Sequence, residues 1–280
     1  MAQLQSVSTK GGEFPEGFPF SVPAIRTLEV LDLNAPVCLL VGENGSGKST
    51  LLESLAIAAS LPTVGSGAAA RDPSLAAQRR LAEKLRLVWK ERTHRGFFLR
   101  AEDFFGFQKA VSAQRAEHEA ELRRLDHELK DASPMARNLA MGVHRTSIGA
   151  LEASYGENPD ARSHGEAFLD LFMARLAPMG LFLLDEPEAA LSPQSQLGFI
   201  SMLKEALDQG SQFVIATHSP LLMAIPGARI LSFDGGEIRT ASFEELESVT
   251  LVKDFLQSPE RFLRHIWRDR EREGQGSPTD

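Results

Sequence analysis

Three runs of consecutive apolar residues divide the chain, at residues 37–41, 181–184 and 213–216. An unbroken apolar run of this length is typical of a strand that is buried on both faces, as in a parallel sheet. The first run is followed by apolar residues at helical spacing, including Leu51, Leu52 and Leu55. Strands that alternate with helices predict an α/β fold with a mostly parallel sheet.

Shorter patterns predict the remaining elements. Residues 1–36 are expected to form a β-rich segment before the main sheet, which we call the lead-in. Within it, residues 25–33 alternate apolar and polar positions as a half-buried strand does. We therefore expect a small antiparallel β layer there. Residues 61–74 have the composition of a loop, and residues 96–99 that of a strand. Apolar residues at helical spacing predict that 81–89 are helical. Residues 228–233 and 237–239 flank an Asp-Gly-Gly turn that indicates a hairpin.

The domain organisation predicted from these patterns is a single domain with an insertion. Residues 1–102 and 161–267 form its core, and a charged helical lobe is inserted at 103–160. A short coiled-coil arm would explain that lobe, but a partly exposed amphipathic helix is the simpler interpretation. Residues 243–267 are helical in pattern, and we expect a disordered tail at 268–280.

A glycine-rich segment connects the first apolar run to the helical pattern after it. Such a turn between strand and helix directs backbone N–H groups inward as a cradle for phosphate, and the helix dipole adds to the positive field. The lysine would reach the β- and γ-phosphates and the serine after it would bind Mg²⁺. The predicted nucleotide-binding residues are Gly42, Glu43, Asn44, Gly45, Ser46, Gly47, Lys48, Ser49 and Thr50.

Polar residues at the ends of the other two runs suggest chemistry at the same edge of the sheet. Asp185 and Glu186 follow the second run, and His218 follows the third. Asp185 is placed to bind Mg²⁺ with Ser49, and Glu186 to activate water. His218 would hydrogen-bond the γ-phosphate or that water. We therefore predict Glu186, His218 and Lys48 as the catalytic residues.

Composition limits the partners and the cellular compartment that we expect for the protein. The chain has 280 residues, 42% of them hydrophobic, and a formal net charge of −8, which argues against a uniformly basic coat for nucleic acid. The polar N-terminus has no apolar segment of a secretory signal, and no apolar run approaches the roughly 18 residues of a membrane span. The single cysteine, Cys38, allows no intramolecular disulfide. A cytoplasmic protein is the expectation.

Several residues leave alternatives open. Residues 71–100 carry nine Lys or Arg against three Asp or Glu, which fits a solvated face or a docking patch for DNA, RNA or an acidic protein. Phe18 or Phe20 would either stack on adenine or pack in the small β layer, and packing is favoured. The histidines of the lobe are expected to be solvated, because no residues at metal-ligand spacing accompany them; they are His118, His127 and His144.

Taken together, these motifs resemble those of the ABC ATPase superfamily. Residues 42–50 are similar to its Walker A motif, residues 181–186 to Walker B with the catalytic glutamate, and His218 to the switch histidine. The segment Ser163-His-Gly-Glu166 lies where the signature motif belongs, although as structure alone it is a helix capping box. The resemblance implies that Ser163, Gly165 and Glu166 contact the γ-phosphate of ATP held by a second protomer.

The differences between these motifs and those of transport cassettes favour another branch of the ABC ATPase superfamily. Arg-Ser-His-Gly-Glu replaces Leu-Ser-Gly-Gly-Gln, and Asp-Glu-Pro-Glu replaces Asp-Glu-Pro-Thr. Both variants are similar to the SMC, RecF and OLD-like ATPases, above all to compact bacterial "predicted ATPases" of that branch. The Q-loop glutamine is not evident, and Glu102 takes its place as a candidate metal ligand. Long coiled coils and a nuclease-type domain are absent from the sequence.

The resemblance implies Mg²⁺-dependent ATP hydrolysis by an ATP-driven head-to-tail homodimer. Three classes of role remain open at this point. They are a DNA-linked ATPase in repair or phage defence, an ATPase that regulates a protein partner, and the nucleotide-binding subunit of a transporter. A kinase would leave the signature segment and His218 unexplained.

Overall fold

The computed structural model describes residues 3–12, 14–64, 67–68, 73–155 and 164–273. Its strands are β1 (Leu4–Thr9), β2 (Val30–Asp32), β3 (Val37–Val41), β4 (Pro62–Thr63), β5 (Gly67–Ala68), β6 (Leu85–Trp89), β7 (Gly96–Arg100), β8 (Leu181–Asp185), β9 (Gln212–Ala216), β10 (Arg229–Ser232) and β11 (Arg239–Ala241). Its α-helices are α1 (Pro23–Arg26), α2 (Lys48–Ala58), α3 (Ala76–Lys84), α4 (Ala101–Glu128), α5 (Pro134–Tyr155), α6 (His164–Arg175), α7 (Pro193–Asp208), α8 (Pro220–Met223), α9 (Glu247–Gln257) and α10 (Pro259–Glu273).

The main sheet has the strand order β11-β10-β3-β9-β8-β7-β4-β5. The six strands from β10 to β4 are parallel, and β11 and β5 pair antiparallel at the two edges. Every residue of β3, β8 and β9 is buried, as their unbroken apolar sequences predict. The α/β fold with a mostly parallel sheet is therefore confirmed.

A second sheet of three antiparallel strands, in the order β2-β1-β6, confirms the predicted small β layer. Gln212, at the start of β9, joins it to the main sheet. The Gln212 side-chain oxygen accepts the backbone N–H groups of Gln3 and Leu4 at 2.9 and 2.8 Å. Its amide nitrogen lies 2.9, 2.8 and 3.1 Å from the carbonyl oxygens of Leu4, Leu33 and Ala35. One fully buried side chain therefore clamps the lead-in strand.

Two local expectations are corrected by the structure. Ile25 and Arg26 belong to α1 rather than to a strand, because Pro23 occupies the first turn and favours helix. The strand is shorter and covers only β2. The helix predicted over 81–89 ends at Lys84, and residues 85–89 form β6, where Leu85 is buried and Arg86 is exposed. Pairing with β1 outweighs the local helical pattern in that segment.

The inserted lobe is a pair of long helices. α4 begins directly after β7 and packs against α5, so the charged segment is half of a helical hairpin. At the other end of the chain, α10 continues to Glu273 and includes residues that the sequence assigned to the tail. The sequence of residues 268–273 alternates basic and acidic residues, which places opposite charges three positions apart, a spacing that favours helix. Within the described residues, no helix is long and apolar enough to cross a membrane.

Candidate nucleotide-binding site

The loop between β3 and α2 needs glycine at particular positions. Gly42 and Gly47 have φ angles of 140° and 105°, in the region that side chains disfavour. A Cβ atom on Gly47 would lie 2.7 Å from Cγ1 of Val22, and one on Gly42 would lie 2.9 Å from Oδ1 of Asp234. The backbone is therefore held close to its neighbours, and α2 begins at Lys48 immediately after the loop.

Lys48 lies over this loop and is almost fully buried. Its Nζ donates hydrogen bonds of 2.8 Å to the carbonyl oxygens of both Gly42 and Glu43. Burial lowers the pKa of Lys48, and the nearby carboxylates of Glu186 and Asp185 partly offset that effect. The Ser46 hydroxyl oxygen is buried without a hydrogen-bond partner among the described residues. A buried hydroxyl and ammonium beside a glycine cradle suit an anionic ligand such as phosphate.

Ser49 and Asp185 meet as the sequence predicts that they should. The Ser49 hydroxyl donates to Oδ1 of Asp185 at 3.1 Å, although the two residues are 136 positions apart. Burial raises the pKa of Asp185 to about 7, and the Ser49 hydrogen bond opposes that rise while Glu53 and Glu186 add to it. A buried carboxylate that resists ionisation is well suited to a bound cation, whose charge would offset the cost of burial.

Glu186 and His218 lie beside this pair, at the ends of neighbouring strands. Oε1 of Glu186 is 3.7 Å from Nε2 of His218, and both side chains are about half-exposed. Glu186 has a left-handed backbone, with φ of 49°, which is uncommon for a residue with a side chain. Such conformations are often found where a side chain must be directed into a site.

Sequence reasoning missed a second carboxylate at this place. Glu188 accepts the backbone N–H of His218 at Oε1, at 2.6 Å, and its Oε2 is buried without a hydrogen-bond partner among the described residues. Asp234 was also missed; its Oδ1 accepts the backbone N–H of Glu43 at 2.9 Å. The signal that indicates Asp234 is its position two residues after the end of β10, the strand next to β3.

A cavity of about 340 Å³ adjoins the Ser49–Asp185 pair. Glu102 lines it together with Glu53 and Arg100, and the Glu102 side chain is 77% exposed. Arg100 is buried and forms ion pairs of 3.1 Å with Glu53 and 2.8 Å with Asp103. This cluster joins α2, β7 and α4 at the edge of the site. No sequence motif indicates it, because Glu53 and Arg100 are 47 residues apart.

The signature segment is only partly described. Ser163 lies outside the described residues, and Gly165 and Glu166 form the first turn of α6. Gly165 is tightly packed, since a Cβ there would lie 3.2 Å from the Ser195 hydroxyl oxygen and 3.4 Å from the carbonyl oxygen of Ala190. Neither Gly165 nor Glu166 lines the cavities that border the glycine-rich loop in the same chain.

The two phenylalanines considered for adenine stacking differ in exposure. Phe20 is buried in the core and stacks on Phe14 at a ring-centroid distance of 5.2 Å. Phe18 is 49% exposed. Packing in the lead-in is therefore the role of Phe20.

The donor set of the site fits ATP with Mg²⁺. In the part of the chain that the structure describes, no three His, Cys, Asp or Glu side chains converge as an all-protein metal cage. Mg²⁺ needs no such cage, because it is bound by one or two protein oxygens with phosphate and water oxygens completing the shell. The Ser49 hydroxyl and Asp185 carboxylate supply such oxygens beside the phosphate cradle.

Comparison with known proteins agrees with this site. Residues 162–224, which include Asp185, Glu186 and His218, match the family described as "AAA domain, putative AbiEii toxin, Type IV TA system". Residues 22–63, which include the glycine-rich loop, match a family described as "AAA domain". The "Uncharacterized ABC transporter ATP-binding protein" of Haemophilus influenzae is 26% identical over 82% of this chain and 82% of its own length. The chain is thus similar to AAA-type domains and to ABC-type ATP-binding proteins.

Two further similarities extend over most of the chain. The "Hemin import ATP-binding protein HmuV" of Rhodopseudomonas palustris is 26% identical and covers 78% of this chain and 80% of its own. A solved Smc head domain from Pyrococcus furiosus, bound to the C-terminal domain of ScpA, has 13% identity and a TM-score of 0.44. It covers 90% of this chain and 99% of its own. Both of the relatives compared by sequence are described as ATP-binding proteins.

Proposed function

We propose that this protein hydrolyses Mg²⁺-ATP and works as an ATP-driven switch between two copies of the chain. The observation that carries the proposal is the 3.1 Å contact between Ser49 and Asp185, with Glu186 and His218 beside it. These four residues follow the glycine-rich loop and the carboxyl ends of β8 and β9, the edge of a parallel sheet where ligands bind. The arrangement joins phosphate binding, metal binding and water activation in one place.

The roles of the residues follow from their positions. The backbone of residues 42–47 and the N-terminus of α2 would hold the β-phosphate, and Lys48 would exchange its two carbonyl partners for phosphate oxygens. Ser49 and Asp185 would hold Mg²⁺, which neutralises charge on the phosphates. Glu102 lines the same cavity and is the third candidate for that metal site.

Water activation is assigned to Glu186. Its side chain is half-exposed, so it is open to a water molecule, and its carboxylate can accept a proton as general base. His218, 3.7 Å from it, would hydrogen-bond the water or the γ-phosphate and hold the attacking geometry. Neither residue needs a large movement to meet the other.

A second copy of the chain is proposed to complete the site. Gly165 and Glu166 do not line the cavities described above around the glycine-rich loop of their own chain, so the proposed contact of this turn is with the nucleotide of a partner. A helix N-terminus stabilises phosphate charge, so ATP bound between two copies would stabilise the dimer. Hydrolysis and phosphate release would then separate them.

The test compares Glu186→Gln with the wild-type chain. The variant should bind ATP, lose turnover by at least about 100-fold and accumulate as a dimer with Mg²⁺-ATP, because hydrolysis no longer separates the copies. Light scattering with ATP and with ADP measures the dimer, and Lys48→Ala is the control that should bind neither nucleotide well. A variant that stays monomeric with ATP at high concentration would refute the dimer while leaving ATP binding intact.

Among the possible roles, one linked to DNA has a specific observation in its favour. Exposed cations lie close together in sequence on the outer face of β6 and in the loop that follows it; they are Arg86, Lys90, Arg92 and Arg95. Exposed cations on one surface bind the phosphate backbone with an affinity that falls as salt rises. Regulation of a protein partner is the alternative, and it predicts ATP turnover that is indifferent to DNA.

The DNA role is tested by measuring ATP turnover with and without duplex DNA. Stimulation should fall at higher salt and in an Arg86→Gln/Arg92→Gln variant, whereas an Arg124→Gln variant, changed on the exposed surface of α4, should retain it. Turnover that does not respond to DNA in any of these proteins would favour the protein partner.

A further inference from the structure

Two histidines meet inside the helical hairpin, which corrects the expectation that they are simply solvated. Nδ1 of His118 on α4 lies 3.1 Å from Nδ1 of His144 on α5. The rings are inclined by 60°, with their centroids 5.3 Å apart, and both side chains are half-buried between the helices. The residues are 26 positions apart, so only the pairing of α4 with α5 brings them together.

The spacing of these nitrogens suits a shared metal ion. Imidazole nitrogen binds Zn²⁺ at about 2.0–2.1 Å, which places two ligand nitrogens about 2.9 Å apart at a right angle and about 3.4 Å apart at a tetrahedral angle. The observed 3.1 Å falls between those limits. A hydrogen bond between the two rings also fits this distance, but it requires the rings to adopt opposite tautomers. The metal requires only that both Nδ1 atoms be deprotonated.

Each of the arginines nearest in sequence to the two histidines contacts another group on its own helix. Arg115, one turn before His118, has its charge paired with the Glu119 carboxylate at 2.9 Å. Arg145, the residue after His144, directs a guanidinium nitrogen to Sδ of Met141 at 3.9 Å. Across the described residues no third His, Cys, Asp or Glu converges on a common centre, so water would fill the remaining positions.

We propose that His118 and His144 form a two-imidazole site for a transition-metal dication such as Zn²⁺, Ni²⁺ or Cu²⁺, which staples α4 to α5. Imidazole is a preferred ligand for these ions, whereas Mg²⁺ prefers oxygen and would not compete. A ligand bound only when the two helices are paired stabilises the hairpin by mass action. The site is separate from the nucleotide residues, since it lies on the lobe and uses neither Ser49 nor Asp185.

The experiment titrates the full-length protein with Zn²⁺ alone and follows binding by calorimetry. The wild type should bind one Zn²⁺ at this site, and both His118→Ala and His144→Ala should weaken that binding at least tenfold. His127→Ala is the matched control, because His127 is exposed on the same helix, and it should bind as the wild type does. Equal affinity in either Ala variant would place the metal elsewhere and overturn the proposal.

A second measurement does not depend on how the variants fold. Cu²⁺ added to the wild type at one equivalent should give an electron paramagnetic resonance spectrum with splitting from two imidazole nitrogens. Splitting from one nitrogen, or no binding of either ion at up to about 1 mM, would overturn the metal site. The pair would then be a hydrogen bond between opposite tautomers.

Discussion

The backbone N–H of His218 donates a hydrogen bond of 2.6 Å to Oε1 of Glu188, so the second glutamate of Asp-Glu-Pro-Glu holds the strand end that carries the histidine. This contact joins the segment after β8 to the segment after β9. We therefore expect Glu188 to be a positioning residue, which acts on the reaction through His218.

Glu188→Ala should lower kcat for ATP about tenfold and leave KM nearly unchanged, because the backbone of His218 would lose its anchor while the phosphate cradle stayed intact. Glu188→Gln keeps an oxygen that accepts the same N–H, so it should recover most of the wild-type rate. Steady-state turnover of the three proteins measures the effect. A rise in KM without a fall in kcat would mean that Glu188 acts in nucleotide binding instead.

The buried ion pairs of Arg100 should matter more for stability than those on the surface of the lobe. Arg100 and Glu53 have side chains only 10% exposed, so Arg100→Ala would leave a buried carboxylate without its main partner. We expect a loss of about 3–5 kcal/mol in the free energy of unfolding. Arg115→Ala, which breaks the more exposed pair with Glu119, should cost about 1 kcal/mol or less. Urea unfolding of both variants gives the comparison, and equal losses would refute it.

Gln212 provides a test of how the small sheet is attached. Gln212→Leu would remove the hydrogen-bond partner of the N–H groups of Gln3 and Leu4. It would also remove the donor to the Leu4 carbonyl oxygen, so that buried polar groups lose their partners. Because each stranded polar group costs about 1–3 kcal/mol, a destabilisation of about 3–5 kcal/mol is expected. Gln209→Leu, at an exposed position after α7, is the control and should change stability by less than about 1 kcal/mol. Thermal unfolding monitored by circular dichroism distinguishes the two.

Cys38 should be inert in the folded protein. It is fully buried in β3, and burial raises the pKa of its thiol to about 12, so the reactive thiolate is almost absent at pH 8. A disulfide reagent added at pH 8 should therefore label Cys38 only as fast as the protein unfolds. In urea, where the pKa returns to its ordinary value, labelling should be immediate. Rapid labelling of the native protein would show that β3 is open to solvent.

The parts of the site that sequence could predict are those carried by contiguous residues. The glycine-rich loop and the strand ends at Asp185 and His218 are local patterns, and parallel pairing then brings them to one edge. Glu188 could have been selected from the sequence, because it is the last residue of the Asp-Glu-Pro-Glu motif. Its hydrogen bond to His218, however, depends on where β9 ends. Arg100 with Glu53, and His118 with His144, are joined only by tertiary packing. Periodicity carries no information on such pairs.

The same limit explains the errors in secondary structure. Leu85, Val88 and Trp89 have spacing compatible with a helix, yet they lie on a strand because β1 offers backbone partners. Pro23 begins a helix that extends into residues 25–33, whose alternation favours a strand. In the first case pairing with the neighbouring strand outweighed the local pattern, and in the second case the proline did.

The junction at Arg100 also has a mechanical consequence. α4 begins one residue after Arg100 and has 28 residues, so it extends about 42 Å from the nucleotide edge of the sheet. A tilt of about 10° at its base would move its far end by about 7 Å, by simple lever geometry from the same helical rise. The ion pairs of Arg100 with Glu53 and Asp103 lie at the base of the helix. A small rotation of the helix at its base would therefore appear at the tip of the hairpin as a displacement of several ångströms.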